Sequence, residues 1–354
     1  MKVAPIDREF RKVKYQGNAE HSIVHTGQHY DHKMSGSFFE DLEMPEPKFY
    51  LKSGAGSHAK QTADIMLGME KVLLEYNPDL LIVVGDVNST VAAALTAIKM
   101  HIKTAHVESG LRSGDRAMPE EINRIATDAI VDYCFVTEQS GVDNLISENR
   151  NKDTIFHVGN TMIDSVLYAR KEADSRKIWE DIGLQKGEYV LSTIHRPSNV
   201  DNREGLELIF DVFEYLSKKN KKVLLPLHPR TKNRIEELGL ATRFGNLRNL
   251  VVTEPMSYIS FQSAMIGSDF VLTDSGGIQE ETTALSVDCM TARTTTERPI
   301  TITLGSNILV PPTRENLYEA IDDYLSGKRK KSEVPELWDG KASERIAEKI
   351  MELI

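Results

Sequence analysis

Reactive side chains recur at the ends of short apolar runs in this sequence. Asp86, Glu108, His195 and His228 each close or directly follow such a run. Carboxylates and imidazoles transfer protons near neutral pH, so the pattern favours acid–base chemistry. A single histidine at the end of a strand is more often a structural hydrogen-bonding group. Because similar endings recur in both halves of the chain, the sequence favours an active site at the carboxyl ends of parallel strands.

The carboxylates of the first half differ in what their neighbours indicate. Glu108 lies between Val107 and Ser109 at the end of an apolar run, where a carboxylate is costly unless it is paired or functional. Glu120 follows Pro119, which suits the first turn of a helix. A glutamate at that position also complements the helix dipole, so a purely structural role stays open there.

Segment 274–281 follows a predicted strand and begins a predicted helix. Its glycines, Gly276 and Gly277, let a phosphate approach the backbone, and the free N–H groups of the first helical turn can bind it. An ordinary helix cap at Ser275 explains the same residues equally well. Glu281 lies one turn further, where its carboxylate can accept hydrogen bonds from a ribose diol.

Other polar residues extend this pattern. Arg298 stands beside Pro299 in a predicted loop and is a candidate second phosphate ligand, or else a solvated surface cation. Residues 54–59 match the dinucleotide fingerprint G-x-G-x-x-G/A, but the run before them is a poor buried strand. We therefore do not assign an NAD site to residues 54–59.

The elements that must position these residues alternate between short apolar runs and longer segments of helical period. The runs are continuously apolar, for example Leu80–Val84 and Phe270–Thr273, which is typical of parallel strands covered by helices on both faces. We predict an α/β fold with an N-terminal domain at 1–165 and a second Rossmann-like domain at 166–340. An amphipathic closing helix is predicted at 341–354.

Composition limits the class of protein. The 354 residues include 53 acidic and 43 basic side chains, a formal net charge of -10, which argues against a nucleic-acid or anionic-membrane surface. Two cysteines in apolar segments exclude a disulfide framework and a cysteine zinc site. With no signal peptide in view, we expect a cytoplasmic location.

In chain order, these motifs resemble the non-hydrolysing UDP-N-acetylglucosamine 2-epimerase family over essentially the whole sequence. The matching motifs are Thr26-Gly27-Gln28-His29, Gly85-Asp86, His106-Val107-Glu108-Ser109-Gly110-Leu111-Arg112, Met118-Pro119-Glu120-Glu121-Ile122-Asn123-Arg124, Val158-Gly159-Asn160-Thr161, His195-Arg196, His228-Pro229-Arg230, Asp274-Ser275-Gly276-Gly277-Ile278-Gln279-Glu280-Glu281 and Thr296-Glu297-Arg298-Pro299.

The resemblance implies a GT-B-like fold with the nucleotide sugar between two Rossmann-like domains, a final helix that returns to the first domain, and a homodimer. It implies four catalytic residues: Asp86, Glu108, Glu120 and His195. The substrate and UDP contacts that it implies are Lys2, Gln28, His29, Arg112, His228, Arg230, Ser275, Gly276, Gly277, Glu281 and Arg298.

The implied reaction is epimerisation at C2 of the sugar without a redox cofactor or a metal. UDP is eliminated across C1–C2 to leave a 2-acetamidoglucal, and UDP then adds back with protonation from the other face. UDP-GlcNAc, UDP-ManNAc and UDP are the expected ligands.

The sequence departs from the family pattern in three places. The family's first strand and its Gly-Thr-Arg-Pro-Glu loop have no counterpart, and Lys2 matches the lysine that follows them. We expect either a truncated or mis-assigned chain start, or impaired activity. Ser198 replaces a usual glutamate, and residues 285–289 replace a more usual Leu-Gly-x-Pro turn.

Three other functions stay open from the sequence. A hydrolysing relative would release ManNAc and UDP, and product analysis separates it from an epimerase. A GT-B glycosyltransferase would need an acceptor and would leave C2 untouched. An inactive nucleotide-sugar-binding relative would bind UDP without turnover.

Overall fold

The structure is a computed structural model that describes residues 1–27, 39–54 and 56–354. The chain divides into two compact units. Unit 1 comprises Met1–Tyr168 together with Glu336–Ile354, and unit 2 comprises Ala169–Pro335.

Unit 1 contains a four-stranded parallel sheet and a separate parallel pair. The pair is β1 (Val24–His25) with β2 (Phe49–Tyr50), and the sheet has the order β3-β4-β5-β6. Its strands are β3 (Leu80–Val84), β4 (Lys103–Ser109), β5 (Tyr133–Val136) and β6 (Ile155–His157). The helices are α1 (Val3–Phe10), α2 (His58–Tyr76), α3 (Asn88–Lys99), α4 (Pro119–Ile130), α5 (Gln139–Ser147) and α6 (Thr161–Arg176), and α6 continues into unit 2. Short 3-10 turns lie at Val13–Tyr15 and Lys152–Thr154.

Unit 2 is built on a six-stranded parallel sheet of order β12-β11-β10-β7-β8-β9. The strands are β7 (Tyr189–Thr193), β8 (Lys222–Pro226), β9 (Leu250–Thr253), β10 (Phe270–Thr273), β11 (Cys289–Ala292) and β12 (Asn307–Val310). The helices are α7 (Ile178–Asp181), α8 (Pro197–Val200), α9 (Arg203–Lys218), α10 (Pro229–Glu237), α11 (Ala241–Gly245), α12 (Tyr258–Gly267), α13 (Gly276–Leu285), α14 (Pro299–Thr303) and α15 (Arg314–Leu325).

The last helix, α16 (Ala342–Leu353), belongs to unit 1 and packs against α1. Its apolar side chains join a core on one face of the unit 1 sheet, which includes Ile6 of α1 and Val107 of β4. Helices α2 and α3 cover a second core that includes Val83 of β3. Both faces of the sheet are therefore buried, which explains why its strands are continuously apolar.

The predicted α/β class with parallel sheets is confirmed. The apolar run at 22–26 is shorter as a strand than predicted, because only Val24 and His25 find partners in the equally short β2. No helix of the described residues is long and apolar enough to span a bilayer.

Candidate active site

Asp86 lies at the carboxyl end of β3, in the turn that follows the strand. Gly85 before it has a φ of 74°, a left-handed conformation that glycine adopts without strain. The Asp86 carboxylate pairs with Arg124 Nη2 of α4 at 2.5 Å. Asn123 Nδ2 donates to the Asp86 backbone carbonyl at 2.9 Å. The turn and the side chain are therefore both fixed by α4.

Glu108 is buried near the end of β4 on a strained backbone. Its φ is 73°, and the pairing of β4 with β5 shifts register between Val107 and Ser109. A left-handed residue other than glycine costs about 1–3 kcal/mol and is found most often at functional sites. The carboxylate forms an ion pair with Lys2 Nζ. Backbone strain and burial beside Lys2 together support a chemical role for Glu108.

The two glutamates at the start of α4 have different surroundings. Glu120 is half-buried in the first turn. Glu121 is buried, and its carboxylate accepts hydrogen bonds from the backbone N–H groups of Ser113 and Gly114, both at 2.9 Å, and from Arg124 Nη1 at 2.8 Å. Burial alone would raise the pKa of Glu121, but these donors lower it. The sequence had not indicated that Glu121 fixes both this turn and Arg124.

Arg112 was predicted to contact substrate, and the structure places it in ion pairs. Its Nη1 lies 2.7 Å from Asp128 Oδ2, and its Nη2 lies 2.6 Å from Glu148 Oε2. Asp128 also contacts the fully buried His106, whose Nδ1 lies 2.6 Å from Asp128 Oδ1. His106, Asp128 and Glu148 were not predicted as site residues.

In unit 2, two histidines follow neighbouring strands. His195 comes after β7 and His228 after β8, and their ring centroids lie 5.5 Å apart at an angle of 31°. Asp274, after β10, is fully buried and accepts the backbone N–H of His195 at 3.1 Å, while His195 Nδ1 lies 3.2 Å from Asp274 Oδ1. When Nδ1–H donates to this carboxylate, Nε2 becomes the basic nitrogen of His195.

His228 and Arg230 lie at the start of α10. The His228 Nδ1 accepts the backbone N–H of Arg230 at 3.1 Å and thereby caps the helix. Burial, His195 and Arg230 lower the pKa of His228, which favours its neutral form. The Arg230 guanidinium pairs with Asp201, with Nη2 2.5 Å from Oδ2.

The start of α13 has the features of an anion site. Within the described chain, Ser275 makes no side-chain capping bond to α13, so its hydroxyl does not occupy the first N–H groups. A Cβ at Gly276 would lie 2.4 Å from Glu297 Oε1, so any larger residue there would have to displace the Glu297 carboxylate. Gly277 continues the first turn of the helix. The free N–H groups of this turn are suited to bind phosphate.

A buried cluster of arginines and glutamates surrounds this helix start. Arg298 Nε lies 2.8 Å from Glu280 Oε2 and its Nη1 lies 3.3 Å from Glu297 Oε1, while Arg293 Nη2 lies 3.0 Å from Glu297 Oε2. Burial would raise the pKa of Glu297, but Arg298 and Arg293 lower it to about 2. Arg298 is buried at the N-cap of α14, so the interpretation as a solvated surface cation is wrong.

Glu281 is buried on α13. Burial and the neighbouring Glu280 raise the pKa of Glu281 to about 8. Among the described residues, its Oε2 atom has no hydrogen-bond partner. A buried carboxyl oxygen of this kind is suited to accept a hydroxyl group from a ligand.

Gln28 and His29 lie outside the described residues. In the ranges that the structure describes, no group of three His, Cys, Asp or Glu side chains is arranged to hold a metal ion.

The chain is similar to known proteins over nearly its full length. A family model described as UDP-N-acetylglucosamine 2-epimerase matches residues 11–351. The UDP-N-acetylglucosamine 2-epimerase of Methanocaldococcus jannaschii is 40% identical over 351 residues, which are 98% of this chain and 94% of that protein. The UDP-2,3-diacetamido-2,3-dideoxy-D-glucuronate 2-epimerase of Pseudomonas aeruginosa is 39% identical over 334 residues, 94% of this chain and 91% of that protein.

One solved structure extends the similarity to three dimensions. The crystal structure of the M. jannaschii UDP-GlcNAc 2-epimerase in complex with UDP-GlcNAc and UDP matches with a TM-score of 0.89 at 40% identity. The match covers 99% of this chain and 96% of that one. The predicted GT-B-like fold class is confirmed by this match.

Proposed function

The chain belongs to the UDP-N-acetylglucosamine 2-epimerase family. We propose that it epimerises UDP-GlcNAc through transient loss of UDP. The reaction is epimerisation at C2, which interconverts UDP-GlcNAc and UDP-ManNAc. The observation that carries this conclusion is the match over 99% of the chain to a relative solved with UDP-GlcNAc and UDP.

We assign the binding of UDP to residues of unit 2. The N–H groups at the start of α13 bind the diphosphate, and Arg298 supplies positive charge beside them. Glu281 accepts hydrogen bonds from the ribose hydroxyls, since its Oε2 has no partner among the described residues. His195, oriented by Asp274, hydrogen-bonds the leaving diphosphate.

We assign proton transfer at C2 of the sugar to carboxylates of unit 1. One carboxylate among Asp86, Glu108 and Glu120 removes the C2 proton while the C1–O bond breaks and its electron pair leaves with UDP. A C1–C2 double bond results. In the reverse step UDP adds to C1, and a second acid group protonates C2 from the opposite face. The strained, buried Glu108 supports this assignment most directly.

Product analysis tests this proposal against its alternatives. Purified protein with UDP-GlcNAc should yield a mixture of UDP-GlcNAc and UDP-ManNAc, resolved by chromatography and NMR. Free ManNAc with stoichiometric UDP would instead identify a hydrolysing enzyme, and UDP binding without turnover an inactive relative. Because the P. aeruginosa relative is 39% identical, UDP-2,3-diacetamido-2,3-dideoxy-D-glucuronate is assayed in parallel, and turnover of that sugar alone would contradict the proposed substrate.

We also propose a homodimer and a cytoplasmic location. Leu67 and Leu74 lie on the same face of α2 and are 61% and 71% exposed. This apolar face is a candidate dimer surface. The two free cysteines, Cys134 and Cys289, are both buried, which fits a reducing compartment.

A further inference from the structure

His106 is fully buried in β4, and both of its ring nitrogens face an acceptor. Its Nε2 lies 2.8 Å from the backbone carbonyl of Gly85, and its Nδ1 lies 2.6 Å from Asp128 Oδ1. A carbonyl oxygen only accepts hydrogen bonds, so Nε2 must carry a proton. The charge of the ring therefore depends on whether Nδ1 carries a second proton.

The surroundings of Asp128 place that second proton on His106. The other carboxylate oxygen, Oδ2, accepts the backbone N–H of Gly110 at 3.0 Å and lies 2.7 Å from Arg112 Nη1. Burial would raise the pKa of Asp128 and its charged partners lower it. The backbone N–H and the guanidinium that both donate to Oδ2 hold the carboxyl in its ionised form. An ionised carboxylate only accepts, which makes Nδ1 a donor as well.

The electrostatics of the ring agree with this hydrogen-bond pattern. Burial favours the neutral form, but Asp128, the Gly85 carbonyl and Glu108 raise the pKa of His106. Cys134, which faces His106 in the adjacent strand, stays a neutral thiol because burial raises its pKa to about 12.

The ring connects the turns that carry two proposed catalytic carboxylates. On one side it binds Gly85, the residue directly before Asp86. On the other side it binds Asp128, which holds Gly110, two residues after Glu108. Gly85 and Glu108 both have left-handed backbone conformations, with φ of 74° and 73°. The conformation of Glu108 is strained, because it is not a glycine, and it persists only when surrounding contacts hold it.

We propose that His106 is a buried imidazolium that positions Asp86 and Glu108 and supplies positive charge behind them. This inference rests on the proposed function, in which these carboxylates transfer the C2 proton. His106 is a positioning residue, since it acts through two turns. Among the described residues, Lys2 also places positive charge on Glu108, and Arg124 does so on Asp86.

The substitution His106→Gln in the full chain tests the positioning role. A glutamine amide can still donate to one acceptor, but it carries no charge. We expect kcat to fall about ten- to a hundredfold with KM within about twofold, since misplaced groups cost rate more than binding. Loss of the cation raises the pKa of the carboxylates, so the acid limb of the kcat/KM profile should move up by about one pH unit. His101→Gln, at an exposed histidine, is the matched control and should change neither quantity.

The shift of the acid limb separates positioning from a merely structural role. An equal loss of activity at every pH, with the limb unmoved, would overturn the proposal. If His106→Gln does not fold, His106→Asn replaces it, because this shorter amide removes the same positive charge while Asp128 stays in place. A limb that stays in place in His106→Asn would also overturn it.

The charge of the ring is measured without reference to activity. In protein labelled with ¹⁵N-histidine, His106 should show two protonated ring nitrogens at pH 7.5, where an exposed histidine is mostly neutral. A neutral tautomer at pH 7.5 would overturn the inference even in an active enzyme. If the wild-type chain does not epimerise UDP-GlcNAc, the proposed function fails, and a doubly protonated His106 still supports the buried imidazolium.

Discussion

A carboxyl oxygen buried without a hydrogen-bond partner destabilises a protein, and Glu281 Oε2 is such an atom among the described residues. Its pKa is raised to about 8, whereas the same side chain in the unfolded chain titrates near its ordinary value. Between those pH values the native state keeps a proton that the unfolded state releases. The contribution of Glu281 to stability therefore falls as the pH rises through this window. A ligand hydroxyl would offset that cost, which connects Glu281 to UDP binding.

Glu281→Gln should stabilise the unliganded protein and weaken UDP binding. At pH 8.5 we expect Tm to rise by at least about 2–4 °C, the shift that 1 kcal/mol produces in a domain of this size. UDP affinity should fall about ten- to a hundredfold, because a charge-assisted hydrogen bond is lost. Differential scanning fluorimetry and calorimetric titration measure the two effects. Glu236→Gln, at an exposed site on α10, is the control, and a lower Tm in Glu281→Gln would contradict the interpretation.

Glu108→Gln should abolish chemistry while UDP binding is kept. We expect kcat to fall at least about a hundredfold, since general acid–base groups contribute this much. The Kd for UDP should stay within about twofold, because the groups proposed to bind the diphosphate and ribose, the start of α13, Arg298 and Glu281, are all in unit 2. Asp153→Asn, at an exposed carboxylate of unit 1, is the matched control. Near-normal turnover by Glu108→Gln would exclude the residue from catalysis.

At the scale of elements, the sequence predicted the strands and the residues that end them. Continuous apolar runs identify β3, β7 and β10, and the polar residue after each run is Asp86, His195 or Asp274 by local order alone. The partners of these residues could not be predicted in the same way.

The unpredicted contacts depend on distant segments that only the fold brings together. His106 lies inside an apolar strand and looks like an ordinary core residue, and its partner Asp128 is 22 positions further along the chain. From the sequence, Glu121 looked like a residue that only complements the helix dipole. Its hydrogen bonds come from the turn at Ser113 and Gly114, and only the fold shows that this turn reaches its carboxylate.

Substitution of Gly276 tests the role of the start of α13 in UDP binding. A Cβ at Gly276 would lie 2.4 Å from Glu297 Oε1, so Gly276→Ala must displace the glutamate that pairs with Arg293 and Arg298. We expect a lower Tm and at least tenfold weaker UDP binding. Gly245→Ala, on α11, meets no atom within 4 Å and should leave UDP binding unchanged. Tight UDP binding by Gly276→Ala would argue against a diphosphate at this helix start.

For the whole molecule, net charge is a poor guide to the ligand. The chain carries a formal charge of -10, yet the start of α13 offers free N–H groups and lies beside Arg293 and Arg298, which also pair with buried glutamates. Acidic side chains such as Asp86 and Glu108 collect at the carboxyl edge of the unit 1 sheet. The sequence-wide excess of acidic residues therefore coexists with a local site suited to an anion.

Light scattering after gel filtration tests the proposed assembly. The wild-type chain should elute with twice the mass of one chain, because the exposed apolar residues on α2 would be buried in a dimer interface. The double substitution Leu67→Glu and Leu74→Glu should give monomers if this face forms the dimer. Leu304→Glu, an exposed apolar site of unit 2, serves as the control. A monomeric wild type would contradict the homodimer.

The most direct test of the proposed reaction is incubation of the wild-type chain with UDP-GlcNAc in D₂O. Loss of the C2 proton to a carboxylate and return of a proton from the other face predict UDP-ManNAc that carries deuterium at C2. NMR of the C2 position and mass spectrometry of both nucleotide sugars measure this incorporation. Absence of both UDP-ManNAc and C2 deuterium, in protein that binds UDP, would contradict the central claim.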